Sequence, residues 1–147
     1  MNATSTLKLR TYLLACTLGA VAMTSASHGF AQDTEMRVNV PFAFHNGSQR
    51  LPAGVYQVKI ASEHVIELRG YSKSGFVVTT PEIGKPQARG KLVFQRYGGE
   101  YFLREVWAAN SETGQKCAKS KLEREVEIAN TKAAQPGAEV AINQQPR

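Results

Sequence analysis

The sequence predicts a mainly β fold: a small antiparallel sandwich or barrel of six or seven strands with a C-terminal α-helix packed on it. Three observations carry this. Short runs alternate apolar and polar residues at a period of two, turn signals recur every ~8–12 residues between them, and one helical stripe follows a capping box near the C-terminus.

The first segment decides the compartment. Residues 1–31 begin with a polar stretch carrying Lys8 and Arg10, continue through an apolar run from Tyr12 to Met23, and end in Gly29-Phe30-Ala31. That three-part layout predicts a cleaved signal peptide, cut after Ala31 or alternatively after Ala26, and hence a periplasmic or extracellular protein. The apolar run is shorter than the ~20 residues of a membrane span. Cleavage after Ala31 leaves 116 of the 147 residues and a formal charge of +4 in place of +6, since Lys8 and Arg10 leave with the segment. Only Cys117 then remains, so no internal disulfide can form and the core alone must hold the domain together. The mild basicity suits acidic surfaces and is too scattered to argue for nucleic acid.

Residues 32–110 carry the strand patterns. Met36, Val38, Val40, Phe42 and Phe44 alternate strictly, with Pro41 on the opposite face as an edge or bulge signal. Asn46-Gly47 signals a hairpin, and Leu51-Pro52-Ala53-Gly54 a type I turn. Strands follow over Val55–Ile60, His64–Leu68 and Phe76–Thr80, with Gly70–Gly75 turning the chain. Pro81–Gly90, holding two prolines and two more glycines, reads as a loop. Gly98-Gly99 then joins two strands, Leu92–Tyr97 and Tyr101–Trp107.

Residues 111–133 read as a polar connector and an amphipathic helix. Ser120-Lys121-Leu122-Glu123 is a capping box, and Leu122, Val126, Ala129 and Ala133 form a narrow apolar stripe. Lys119 with Glu123 and Lys121 with Glu125 are spaced as i,i+4 pairs. Residues 134–147 have little apolar mass and read as a disordered tail.

The last hairpin poses the functional question. Strict alternation places Leu92, Phe94, Tyr101, Leu103 and Trp107 on one face, and Val93, Tyr97, Phe102 and Val106 on the other. Both faces are apolar, so something must cover the second. Either the C-terminal helix lies there through Leu122 and Val126, or the face lines a cavity open to an apolar ligand. Tyr97, Phe102, Arg104 and Val106 are therefore the candidate ligand or partner face. Lys85, Arg89, Lys91 and Arg96 form a basic neighbourhood suited to anionic envelope material.

Four stretches, VNVPFAF, LPAGVY, LVFQRYGGEYFLREVW and SKLERE, run from Val38 to Glu125. In their combination the chain resembles an uncharacterised family of small exported bacterial proteins common in acidobacteria. The resemblance implies export, a compact β-rich domain and a charged C-terminal helix. It implies no activity and carries over no catalytic residue.

The residues that could carry chemistry do not assemble in the sequence. Cys117 lacks any nucleophile context and reads as an exposed thiol in the connector, able to pair with another chain. His45 and His64 fall in separate hairpins without ligand spacing, so neither a metal nor another cofactor is expected. Asp33, Glu67 and Glu105 form no acid pair. The function expected is non-enzymatic binding at or outside the cell envelope, to an envelope component or a protein. The alternatives are a small-barrel, lipocalin-like carrier of an apolar ligand and, more remotely, a Cys117-dependent enzyme.

Overall fold

A computed structural model describes residues 35–133 and 137–146, all within one compact unit, Gln32–Arg147. The predicted signal peptide, residues 1–31, lies outside the described residues. The strands are β1 (Glu35–Val40), β2 (Phe44–Asn46), β3 (Gln49–Leu51), β4 (Gly54–Ser62), β5 (Val65–Gly70), β6 (Ser74–Ile83), β7 (Lys91–Tyr97), β8 (Glu100–Trp107), β9 (Thr113–Cys117) and β10 (Ala138–Asn143). One helix, α1 (Lys121–Lys132), separates β9 from β10. The fold is mainly β with a C-terminal helix, as the alternation and the capping box predict.

The strands form one mixed sheet in the order β1-β4-β5-β6-β9-β8-β2-β3, with β7 on β8 and β10 on β7. Among the described residues every pairing is antiparallel except a single parallel contact, His45 of β2 beside Phe102 of β8. The sheet curls so that the β10 branch comes back beside β1: just beyond β10, the Gln145 N–H donates to the Arg37 carbonyl of β1 at 3.0 Å. In β1 the alternation holds, with Met36, Val38 and Val40 buried between exposed neighbours. It stops at Pro41, which cannot donate to a ladder, and resumes at Phe44. The Asn46-Gly47 signal yields a hairpin whose loop is Gly47-Ser48, because Asn46 still pairs with Gln49.

The core lies inside the curl. Phe44 meets Tyr56 and Phe94 edge-on at 5.3 and 5.2 Å, and Phe42 meets Phe94 in the same way at 5.3 Å. Such pairs add roughly 0.5–1.5 kcal/mol each beyond their area burial. Val38, Val58, Ile66, Leu68 and Leu92 fill the space between the rings. The predicted loop from Pro81 is shorter than expected, because β6 continues through Ile83 against β9.

Two segments depart from expectation. The connector contains β9, which pairs with β6 along Thr79–Ile83 and with β8 along Glu105–Trp107. Its Gln115 accepts from the Thr79 hydroxyl at 2.7 Å, so a polar strand is satisfied within the fold. The tail is not disordered over residues 138–143. β10 pairs with β7 from Ala138–Arg96 to Asn143–Lys91, and Val140 and Ile142 pack on the core. A second strand to pair with replaces the apolar mass that the segment lacks.

Candidate functional site

The β7–β8 hairpin holds the predicted site, and a bulge rearranges it. Val93 pairs with Glu105 but Phe94 pairs with Leu103, which leaves Arg104 as an extra residue in β8. Past the bulge the faces exchange. Val106 turns inward opposite Leu92, and Trp107 turns outward opposite Lys91. The second face therefore consists of Val93, Phe102, Tyr97 and Trp107, with Val106 in the core. The assignment of Val106 to a ligand face and of Trp107 to the inner face is thus corrected, the cause being the one-residue insertion at Arg104.

The second face is covered. Phe102 is 1 % exposed; the His45 ring stacks on it at 4.8 Å and the Tyr97 ring meets it edge-on at 5.9 Å. Trp107 donates its indole N–H to Glu105 at 2.9 Å, and the backbone at Gly84 and Gly114 presses so closely on its ring that neither position has room for a Cβ. Tyr97, Phe102 and Val106 are all buried, so the predicted ligand or partner face is not a free surface.

Helix α1 packs on this face with a different stripe from the one expected. Ser120 caps it as predicted, accepting from the Glu123 N–H at 3.1 Å. Its less exposed positions are Glu123, Val126, Glu127 and Asn130, spaced i, i+3, i+4 and i+7, while Leu122 is 38 % exposed and Ala129 lies in solvent. The hairpin supplies the polar partners that turn the helix this way. The Arg104 guanidinium, aimed outward by the bulge, lies 3.5 Å from Glu123 and also donates to the Cys117 carbonyl at 3.4 Å. The Tyr97 hydroxyl bonds Glu127. Lys119 pairs with Glu127 at 2.7 Å rather than with Glu123, while the expected Lys121–Glu125 pair is present at 3.8 Å.

The electrostatics follow from burial. Desolvation raises the Glu123 carboxyl above the usual carboxylate range, against the opposing pull of Arg104 and Lys119. Glu127 moves the other way, chiefly through its hydrogen bond from Lys119. Burial, with the Glu127 and Glu123 charges, pushes the Tyr97 phenol to about 12. Cys117 is 2 % exposed in β9, and burial pushes its thiol to about 12. It is neither the exposed thiol expected in a connector nor available for a bond to another chain, because β9 turns it toward the core.

The basic quartet does not gather. Lys85 and Arg89 are exposed in the Gly84–Gly90 loop, and Lys91 lies over the Trp107 ring at 5.9 Å. Arg96 is at the far end of β7, where it donates to the Gly98 carbonyl and faces Tyr101. Lys91 and Arg96 thus sit at opposite ends of β7, beside Trp107 and Tyr101 respectively.

Two features escaped the sequence. The first is a cleft of about 270 Å³ lined by His45, Arg50, Glu100, Phe102, Leu122 and Val126. His45 Nε2 lies 2.8 Å from a Glu100 carboxylate oxygen, while its buried Nδ1 has no partner among the described residues. A buried unpaired polar atom costs about 1–3 kcal/mol. These residues are 55 positions apart, so no local pattern could have joined them. The second is the outer face of β6, where Phe76 and Val78 are 64 % and 67 % exposed. The signal was present in Phe76-Val77-Val78, which is apolar on both faces of a strand. His64, in contrast, is exposed in the β4–β5 turn and joins no cluster.

Among the described residues no group of three or more His, Cys, Asp and Glu side chains is placed to hold a metal ion, and no helix is long and apolar enough to cross a membrane. No protein-family model, curated protein or solved structure matches the chain.

Proposed function

We propose that this protein is an exported, non-enzymatic β-domain that binds a partner protein at or outside the cell envelope, and that the outer face of β6 is its contact surface. The observation that carries this reading is the outward display of Phe76 and Val78 side by side on one strand. Val65 stands opposite Val78, and exposed Tyr71 and Ile83 flank the row in sequence. Fully burying each large apolar side chain would contribute ~1.5–3 kcal/mol, so a second surface laid on this row would gain from it. Glu67, directly opposite Phe76, is paired with Arg69 at 2.9 Å, and Glu82 further along β6 with Lys116 at 3.2 Å, so balanced ion pairs border the row. An apolar row with a border of balanced charge offers no excess of cations to an anionic lipid surface and suits a protein. Export rests on the N-terminal signal pattern, and the resemblance to a family of small exported bacterial proteins points the same way. The carrier alternative draws no support from the interior behind the hairpin, which Phe44, Phe94 and Leu103 fill.

The test is native mass spectrometry of protein recovered from its own host. Mature chain beginning at Gln32 is expected outside the cytoplasm, with a bound protein. Replacing both Phe76 and Val78 by Asp should release that partner without lowering the melting point, since both side chains are largely exposed. Full-length chain held in the cytoplasm would refute export. The same partner retained by the double variant, or equal binding of both forms to anionic vesicles, would refute the β6 contact.

A further inference from the structure

We propose that the cleft between α1 and the β2–β8 surface binds a small zwitterion, an α-amino acid with a branched aliphatic side chain. The site is separate from the outer face of β6 and does not depend on the function proposed for that face.

The cleft carries two opposite charges that do not satisfy each other. Glu100 keeps 41 % of its side-chain exposure and offers one carboxylate oxygen to His45, which leaves the other free. Arg50 is the cross-strand partner of His45, so their Cβ atoms are ~4.5–5.5 Å apart, and its guanidinium has no acceptor among the described residues. The imidazole, a cation and an anion thus line one small space. A molecule bearing both charges would bridge them, its carboxylate on the Arg50 fork and its ammonium on the free Glu100 oxygen.

The rest of the lining selects the body of the ligand. Phe102 forms part of the wall beneath the stacked His45 ring, and Leu122 and Val126 project from α1. This accounts for a leucine that stays 38 % exposed on the helix: Leu122 is not sealed against the hairpin but borders the cleft. A volume of about 270 Å³ lies just under the ~300–1,000 Å³ of typical small-molecule sites, and it is enough to hold one amino acid. His45 is held on both sides, by Phe102 and by Glu100, and so presents the carboxylate in a fixed position. A buried Nδ1 without a partner is the kind of local cost that folds retain at working sites.

Titration of the full mature chain with L-leucine, followed by two-dimensional NMR of the backbone amides, tests the proposal. Saturable shifts are expected at Arg50, Glu100, Phe102 and Leu122, with valine and isoleucine acting similarly and glycine not at all. N-acetyl-leucine lacks the ammonium and leucinamide lacks the carboxylate. Each should bind about tenfold more weakly or worse, because each loses a charge-assisted hydrogen bond; together they also stand in for the two ends of a peptide. Arg50→Gln and Glu100→Gln, both at exposed or half-exposed positions, should keep the fold and lose leucine binding. No saturable shift with leucine at millimolar concentration would overturn the proposal. So would equal binding of N-acetyl-leucine, or undiminished binding by a folded Arg50→Gln variant.

Discussion

Removal of residues 134–147 should severely destabilise the domain, although their composition reads as a tail. The truncation deletes β10, which pairs with β7 at six consecutive positions. Val140 and Ile142 are half-buried against the core, so each contributes about 1–2 kcal/mol, a part of the ~1.5–3 kcal/mol for full burial. The ladder adds about 0.5–1.5 kcal/mol for each hydrogen bond, which brings the loss to roughly 5 kcal/mol at least, against the ~5–15 kcal/mol of a whole domain. The deletion also bares the edge of β7 beside Leu92 and Phe94, both fully buried in the intact protein, and so invites edge-to-edge association. Thermal melting followed by circular dichroism, with size-exclusion chromatography, should find a chain ending at Ala133 largely unfolded or aggregated. A finer probe is Val140→Asp, which sets a charge opposite Phe94, compared with Glu139→Gln on the exposed side of the same strand. A truncated chain that melts within a degree or two of the full one, or equal effects of the two substitutions, would show that β10 does not hold the sheet together.

Gly114→Ala should cost about 1–3 kcal/mol by overpacking, because a Cβ there would lie 2.6 Å from the Trp107 ring, whereas Gly99→Ala meets nothing within 4 Å and should be nearly silent in the same melts. Cys117, with a thiol at about 12 and almost no exposure, should resist thiol reagents at pH 8 in the folded protein and react only as it unfolds; prompt labelling would contradict its placement in the core. The two helix carboxylates should act oppositely with pH. Glu123, raised by burial, contributes most below the ordinary carboxylate pKa of ~4.3 and loses that contribution as pH rises through its folded value, so Glu123→Gln should flatten the fall of stability from about pH 4.5 upward. Glu127, lowered by Lys119, contributes above that ordinary value and loses it as pH falls, so Lys119→Ala should weaken the fold by at most ~1 kcal/mol at pH 7 and leave it unchanged in acid; the same deficit at both pH values would remove the ion pair from the account.

The parts of the fold legible in the sequence are those written in local pattern. Alternation marked Met36, Val38 and Val40 as an inward row, Gly98-Gly99 marked the hairpin, and Ser120 marked the start of the helix. The strands that escaped are those whose stability comes from distant partners. Thr113-Gly114-Gln115-Lys116-Cys117 has no apolar alternation, yet it forms a strand because Gly114 makes room for Trp107, Gln115 meets Thr79, and Lys116 pairs with Glu82 at 3.2 Å. None of these contacts can be read from neighbours in the chain.

The candidate site shows the same limit more sharply, because one residue governs it. Strict alternation through β8 would put Val106 outward, and a helix covering Val106 would need an apolar stripe such as Leu122, Val126 and Ala129. The insertion at Arg104 removes Val106 to the core and leaves a guanidinium in its place on the outer face. A helix docking there must then bring carboxylates, and Glu123 and Glu127 are the two that it turns inward. That choice leaves Leu122 at the margin of the helix–hairpin contact, over the cleft beside His45, Glu100 and Phe102. The bulge thus sets the helix face, and the helix face in turn forms the cleft. A reading that misses Arg104 as the extra residue misplaces Val106, Trp107 and Leu122 together, even when every secondary-structure element around them is right.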